Sequence, residues 1–100
     1  MRFRSPKKQK EYVERRKIVE SMLGRFPHCQ ACPVFAKHDG KSTYVRMNSV
    51  DIHELVRRSQ GGSILDESNL LAVCRTCHRR IGNFPALAFE LGLAKHSWDD

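Results

Sequence analysis

Apolar residues in this chain fall into short groups whose spacing changes several times. Between about Glu11 and Leu23, Tyr12, Val19, Met22 and Leu23 recur among Glu, Arg and Lys, which predicts a helix with one apolar stripe ending near Gly24. Arg15, Arg16 and Lys17 fall away from most of that stripe, as a solvated face or a polyanion-facing one would. Ahead of the helix, residues 1–10 are basic, interrupted by Pro6 and poor in apolar groups, and are expected to form a flexible arm. The domain proper is then expected over 11–100.

Farther along, Pro27 and Pro33 frame a tight irregular loop, and Asp39-Gly40 marks a turn that connects two short strands or extends a loop. Strand formers dominate from about Thr43 to Ile52 and again from Leu70 to Val73, so two paired strands are expected, joined by a compact surface loop, Arg57–Ser68, containing Gly61-Gly62. A short helix is predicted from about Thr76 to Gly82. Another is predicted over about 84–91, with Pro85 at its first turn, Gly92 past its last, and Phe84, Leu87, Ala88 and Leu91 packed inward. Trp98 is expected to fold back as an apolar anchor.

One hundred residues make one domain with a small core, so a further clamp is expected. Four cysteines, paired as Cys29-x-x-Cys32 and Cys74-x-x-Cys77, could supply it as disulfides or as a metal site. No apolar run is long enough for a signal peptide or a membrane span, so the chain is expected to be cytoplasmic, with no membrane partner. In a reducing compartment the four thiolates favour a structural zinc ion over disulfides. His28 and His38 lie near the first pair and are alternative ligands, although four cysteines already complete a tetrahedral set. Lys and Arg outnumber Asp and Glu 18 to 11, and the net charge of +7 favours a polyanionic partner.

The densest chemistry lies between Asp51 and His78. A histidine near the end of one strand and another at the start of a helix would bring His53 and His78 together as a metal site with open positions, suited to a cation that also holds water and a phosphate oxygen. Arg57, Arg58, Arg75, Arg79 and Arg80 lie close in sequence to these histidines and are candidate phosphate contacts.

Asp51-Ile52-His53-Glu54, Gly61-Gly62, Asn69 and Cys74-Arg75-Thr76-Cys77-His78, preceded by Cys29-x-x-Cys32, resemble the HNH endonucleases of the small phage and bacterial type. The likeness covers about Cys29 to Gly82, and the tail from Asn83 to Trp98 is similar to the C-terminal part of phage members. It implies an α+β fold: a small ββα-metal core of the His-Me finger kind, stabilised by a four-cysteine zinc site and flanked by N- and C-terminal helices. It also implies hydrolysis of DNA phosphodiester bonds, by nicking or double-strand cleavage, with one catalytic divalent cation (Mg²⁺, Mn²⁺, Ni²⁺ or Zn²⁺). Phage members often act beside the packaging machinery, which makes a terminase an implied partner.

By the same resemblance His78 is a metal ligand and Asn69 the central orienting residue, while the first motif departs from the usual ligand-then-histidine pair. Counted back from Asn69, His53 takes the ligand position and Glu54 that of the base. A second frame makes Asp51 the ligand and His53 the base, and strand alternation favours it, since residues two apart share a face. A glutamate is the weaker base at its ordinary pKa. The loop spacing favours the first frame. The competing readings are a zinc-stabilised nucleic-acid-binding module in which Glu54 marks a lost base, and a redox or metal-sensing protein using the thiols directly. The latter lacks the βαβ setting expected for it.

Overall fold

A computed structural model of the chain describes residues 6–96, with side chains from Gln9 onward. Its elements are α1 (Pro6–Arg25), α2 (Cys32–His38), β1 (Asp51–Glu54), β2 (Leu70–Val73), α3 (Arg75–Asn83) and α4 (Pro85–Glu90), with 3-10 turns at Arg58–Gln60 and Glu67–Asn69. No helix among the described residues is long and apolar enough to cross a membrane.

The centre is the ββα unit formed by β1, β2 and α3. The two strands pair antiparallel with Asp51 opposite Val73 and Glu54 opposite Leu70. Four residues per strand make a sheet that is unstable alone, and β1 is flanked by both α1 and α3. The core beside it combines Ala31, Phe35, Val73, Ile81, Ala88 and Leu93 with Cys29, Cys74 and Cys77, so the thiols are part of the hydrophobic interior. α3 enters that core through Cys77 and Ile81, four residues apart on one helical face. Cys74 caps its N-terminus, with its sulfur accepting from the Cys77 amide at 3.4 Å.

Several local expectations change. The stretch read as a basic arm is helical from Pro6 onward, and its remaining residues, like Trp98, lie outside the described ones. On α1, Met22 is buried but Tyr12 is exposed, because the inward face runs through Glu11, Arg15, Ile18 and Met22. Asp39-Gly40 ends α2 rather than linking strands: Asp39 N–H donates to Phe35 O at 2.8 Å and Gly40 turns to φ 75°. The expected strand over Thr43–Ile52 shrinks to β1, which begins at Asp51. Residues 43–50 form no strand: their backbone bonds are a bridge from Asn48 to His28, with Met47 O accepting from Cys29 N–H and Ser49 N–H donating to Pro27 O, and one bond from Val50 N–H to Val73 O at the end of β2. β2, α3 and α4 fall close to where the sequence predicts them. Phe84, expected inward, is exposed, and Leu93 takes the buried place beyond Gly92.

The loop between the strands is rigidly specified. Gly61 adopts φ 88° and closes the first 3-10 turn, a conformation unfavourable for other L-residues. At Gly62 a Cβ would lie 1.8 Å from the Val56 carbonyl oxygen, so only hydrogen fits. Asp66 caps the second turn by accepting from the Ser68 amide at 3.0 Å.

Candidate metal centres and active site

Two clusters lie at opposite sides of the start of α3. The sulfur atoms of Cys29, Cys32, Cys74 and Cys77 all fall within 4.8 Å of one another, and the cysteines are free of disulfides. Cys32 Sγ lies 3.9 Å from Cys74 Sγ and 3.7 Å from Cys77 Sγ. A tetrahedron with Zn–S arms of about 2.3 Å has edges of about 3.8 Å, so these spacings fit a closed zinc site. His28 and His38 are exposed and outside the cluster.

The electrostatics point the same way. Burial, with the neighbouring Cys29, pushes the Cys32 thiol up to about 11, and burial and the surrounding thiols push Cys77 higher still. For Cys29 burial also acts upward, but backbone hydrogen bonds at Cys74, Ala31 and Cys32 outweigh it and hold the thiol below its ordinary value. Four sulfurs this close cannot all ionise unless a cation offsets their repulsion, and that is the donor set a thiophilic dication binds.

On the other side, β1 carries Asp51 and His53 on one face and α3 presents His78. The two imidazole rings meet edge-on with centroids 5.4 Å apart. Each ring has one nitrogen already engaged. His53 Nε2 donates to the Leu93 carbonyl at 2.6 Å, and His78 Nδ1 donates to Asp51 Oδ2 at 3.2 Å. These bonds set the tautomers and leave His53 Nδ1 and His78 Nε2 without a hydrogen bond among the described residues, so either nitrogen could act as a ligand.

His53 is buried, and burial holds it below the ordinary imidazole value of 6.5; the Leu93 carbonyl acts in the opposite direction and His78 adds to the lowering. The ring is therefore neutral at physiological pH, as a ligand must be.

Asp51 is fully engaged. Arg75 donates to it through Nε (2.8 Å) and Nη2 (3.1 Å), and His78 uses the same carboxylate. The Arg75 guanidinium holds the Asp51 carboxyl below the usual carboxylate range despite its partial burial, with His78 contributing in the same direction. The alternation that puts Asp51 and His53 on one face is real, but Asp51 serves as the partner of His78. Glu54 instead lines an open cavity of about 290 Å³ together with His53, His78, Arg57 and Ile81.

Asn69 stands behind this cavity. Its Oδ1 accepts from the Val56 amide at 2.9 Å, and its Nδ2 donates to the carbonyls of Val56 (3.0 Å) and Ser63 (2.9 Å). One donor and two acceptors fix the orientation of the amide. Its own carbonyl accepts from Leu55 N–H at 2.8 Å, so Asn69 ties both ends of the loop to the end of β1.

The five arginines divide. Arg58 pairs with Glu11 at 2.8 Å and Arg75 with Asp51. Arg80 donates twice to Asp39 and stacks 4.3 Å over the Phe35 ring, joining α3 to α2. Among the described residues Arg57 and Arg79 have no acidic partner. Two contributors escaped the sequence reading. The Leu93 carbonyl is a backbone atom with no side-chain signal. Arg15, placed by pattern on a solvated or polyanion-facing face, is half-buried with Nη1 donating to the Ile64 carbonyl at 2.8 Å and Nη2 lying 3.6 Å from Glu54 Oε1. Its spacing from Glu11, Ile18 and Met22 was the available signal.

Compared with known proteins, residues 29–84 match the family model described as HNH endonuclease. No curated protein and no solved structure matches the chain.

Proposed function

Since this chain belongs to the HNH endonuclease family, we propose that it hydrolyses DNA phosphodiester bonds at the cavity between β1 and α3, using one divalent cation held by His53 and His78. The observation that carries this reading is the pairing of the two imidazoles, whose centroids lie 5.4 Å apart and each of which has one ring nitrogen held by an oxygen acceptor. Mg²⁺, Mn²⁺, Ni²⁺ and Zn²⁺ are the candidate ions. When bound, such an ion stabilises the charge developing on the phosphoryl and leaving oxygens.

The residues divide the remaining work. Glu54 takes the proton from the attacking water, because it lines the cavity while Asp51 is held by Arg75 and His78. Support for His53 as ligand rather than base comes from the same distribution, since it leaves Asp51 as the carboxylate that orients His78. Asn69 keeps the end of β1 in place through Val56 and Ser63. Arg57, at the cavity wall and without an acidic partner among the described residues, contacts a phosphate, and Arg79 adds to the electrostatic attraction. Cys29, Cys32, Cys74 and Cys77 hold a structural zinc ion that sets the position of His78, the residue after Cys77. Family likeness extends the proposal to a phage packaging partner, tested by co-purification with a terminase.

The experiment is nicking of supercoiled plasmid in a series of divalent metals. His53→Ala, His78→Ala and Glu54→Gln should each abolish most of the activity. Full nicking by both histidine variants would show that the site is elsewhere. Full activity of Glu54→Gln with an inactive Asp51→Asn would transfer the base role to His53, with Asp51 as ligand.

A further inference from the structure

α1 lies ahead of the segment that the family model covers, yet it reaches into the proposed site. We propose that Arg15 is a positioning residue for Glu54, holding one carboxylate oxygen so that the other faces the attacking water. This rests on Glu54 being the base.

The fork of the guanidinium is divided between two partners. Nη1 donates to the Ile64 carbonyl at 2.8 Å, and Nη2 lies 3.6 Å from Glu54 Oε1. The backbone bond sets the guanidinium plane independently of Glu54, so the carboxylate meets a charge already in place. The Arg15 side chain is 19% exposed and that of Glu54 24%, so water screens the pair less than it would two surface residues. Glu54 Oε2 makes no hydrogen bond among the described residues, and Glu54 lines the cavity that His53 and His78 share.

The helix carrying Arg15 is itself fastened to the same loop on both sides. Glu11 pairs with Arg58, and Arg25 with Glu67. Asn69 braces that loop as well, through Val56 and Ser63. Arg15 therefore sits between two points where α1 is tied to the loop, and rotating the Glu54 carboxylate away would break its ion pair with Arg15. Lysine at this position would keep the charge but lacks the planar fork needed to meet both partners in this geometry. A guanidinium committed to a carbonyl and a carboxylate is not free to bind phosphate, so its effect belongs in kcat.

The test uses the full zinc-loaded chain and supercoiled plasmid, with initial nicking rates measured over a range of DNA concentrations. Arg15→Gln should lower kcat by about ten- to a hundredfold, as expected when a reacting group is displaced, while KM stays within about twofold. In a Glu54→Gln background the same substitution should change the residual rate by less than about twofold, because a group acting through Glu54 has nothing left to act on.

Unchanged kcat in Arg15→Gln, a loss confined to KM, or an equal loss in both backgrounds would overturn the positioning role while leaving Glu54 as base. Wild-type activity in Glu54→Gln would instead overturn the base assignment and this role with it. Circular dichroism monitors folding. If Arg15→Gln does not fold, Arg15→Lys decides: a folded protein with kcat lowered by about fivefold or more agrees with the proposal, and wild-type kcat overturns it.

Discussion

Replacing Asn69 by aspartate is the more informative of two substitutions that disable the same brace. Asn69→Ala deletes three hydrogen bonds, to Val56 N, Val56 O and Ser63 O. At about 1 kcal/mol net each, with water reaching part of the loop, the cost is about 2–3 kcal/mol. For a domain this small that lowers the melting temperature by roughly 10–20 °C. Asn69→Asp keeps the shape and the bond from Val56 N, so a count of lost bonds predicts a milder defect.

The geometry predicts the reverse at neutral pH. An aspartate at 69 would place an anion where Nδ2 now lies, 3.0 Å and 2.9 Å from two carbonyl oxygens, with no donor to offer either. Its loss should equal or exceed that of alanine. It should also depend on pH with a definite sign. The site favours the neutral acid, so the folded-state pKa of the introduced carboxyl rises above its unfolded value of about 3.9. The deficit relative to wild type is then complete above the folded pKa and shrinks as pH falls through it, since a protonated carboxyl regains one donor. Urea denaturation of the zinc-loaded wild type and both variants at pH 7 and at pH 5 measures this. Wild-type stability of Asn69→Asp at pH 7, or a deficit that fails to narrow on acidification, would refute the assignment of the Asn69 amide as donor to both carbonyls.

Removing zinc with a strong chelator should unfold the domain, because the four sulfurs form part of its core, and should render all four thiols reactive; an unchanged far-UV spectrum and melting curve after verified metal loss would contradict this. Gly62→Ala should destabilise by about 2–4 kcal/mol in thermal melts, since its Cβ would meet backbone at 1.8 Å, whereas Gly61→Ala, with open space around it and only φ 88° to accommodate, should cost about 1 kcal/mol. Burial lowers the folded-state pKa of His53 below 6.5, so the unfolded chain takes up that proton first. Stability from this group is complete above pH 6.5 and is lost as pH falls from there toward the folded value. Calorimetry between pH 5 and 7 should show that slope in the wild type and a weaker one in His53→Gln.

Much of the architecture was legible because its signals are local. The spacing of Cys29, Cys32, Cys74 and Cys77 announced a four-sulfur site, the run Leu70–Val73 a strand, and Pro85 with Gly92 the limits of α4. The order of His53, Asn69 and His78 around Gly61-Gly62, with the cysteine pairs, resembled the HNH family closely enough to imply the ββα core. Residues 43–50 misled for the converse reason: β-forming composition makes a strand only where a partner runs alongside it, and there the chain meets β2 only through Val50 and the 27–29 segment only around Asn48.

Which groups pair within the site was decided by tertiary structure alone. Asp51 shares a strand face with His53, and its pairing with Arg75 and His78 is visible only once α3 is packed against β1. The support of His53 comes from a carbonyl forty residues away, and that of Glu54 from a helix outside the motif altogether. Arg58, Arg75 and Arg80 were indistinguishable from Arg57 and Arg79 in sequence, and are separated by where Glu11, Asp51 and Asp39 came to lie. Spacing along the chain records which groups can reach a common point, whereas the partners that neutralise or orient a charge are set by long-range packing, to which local pattern is blind.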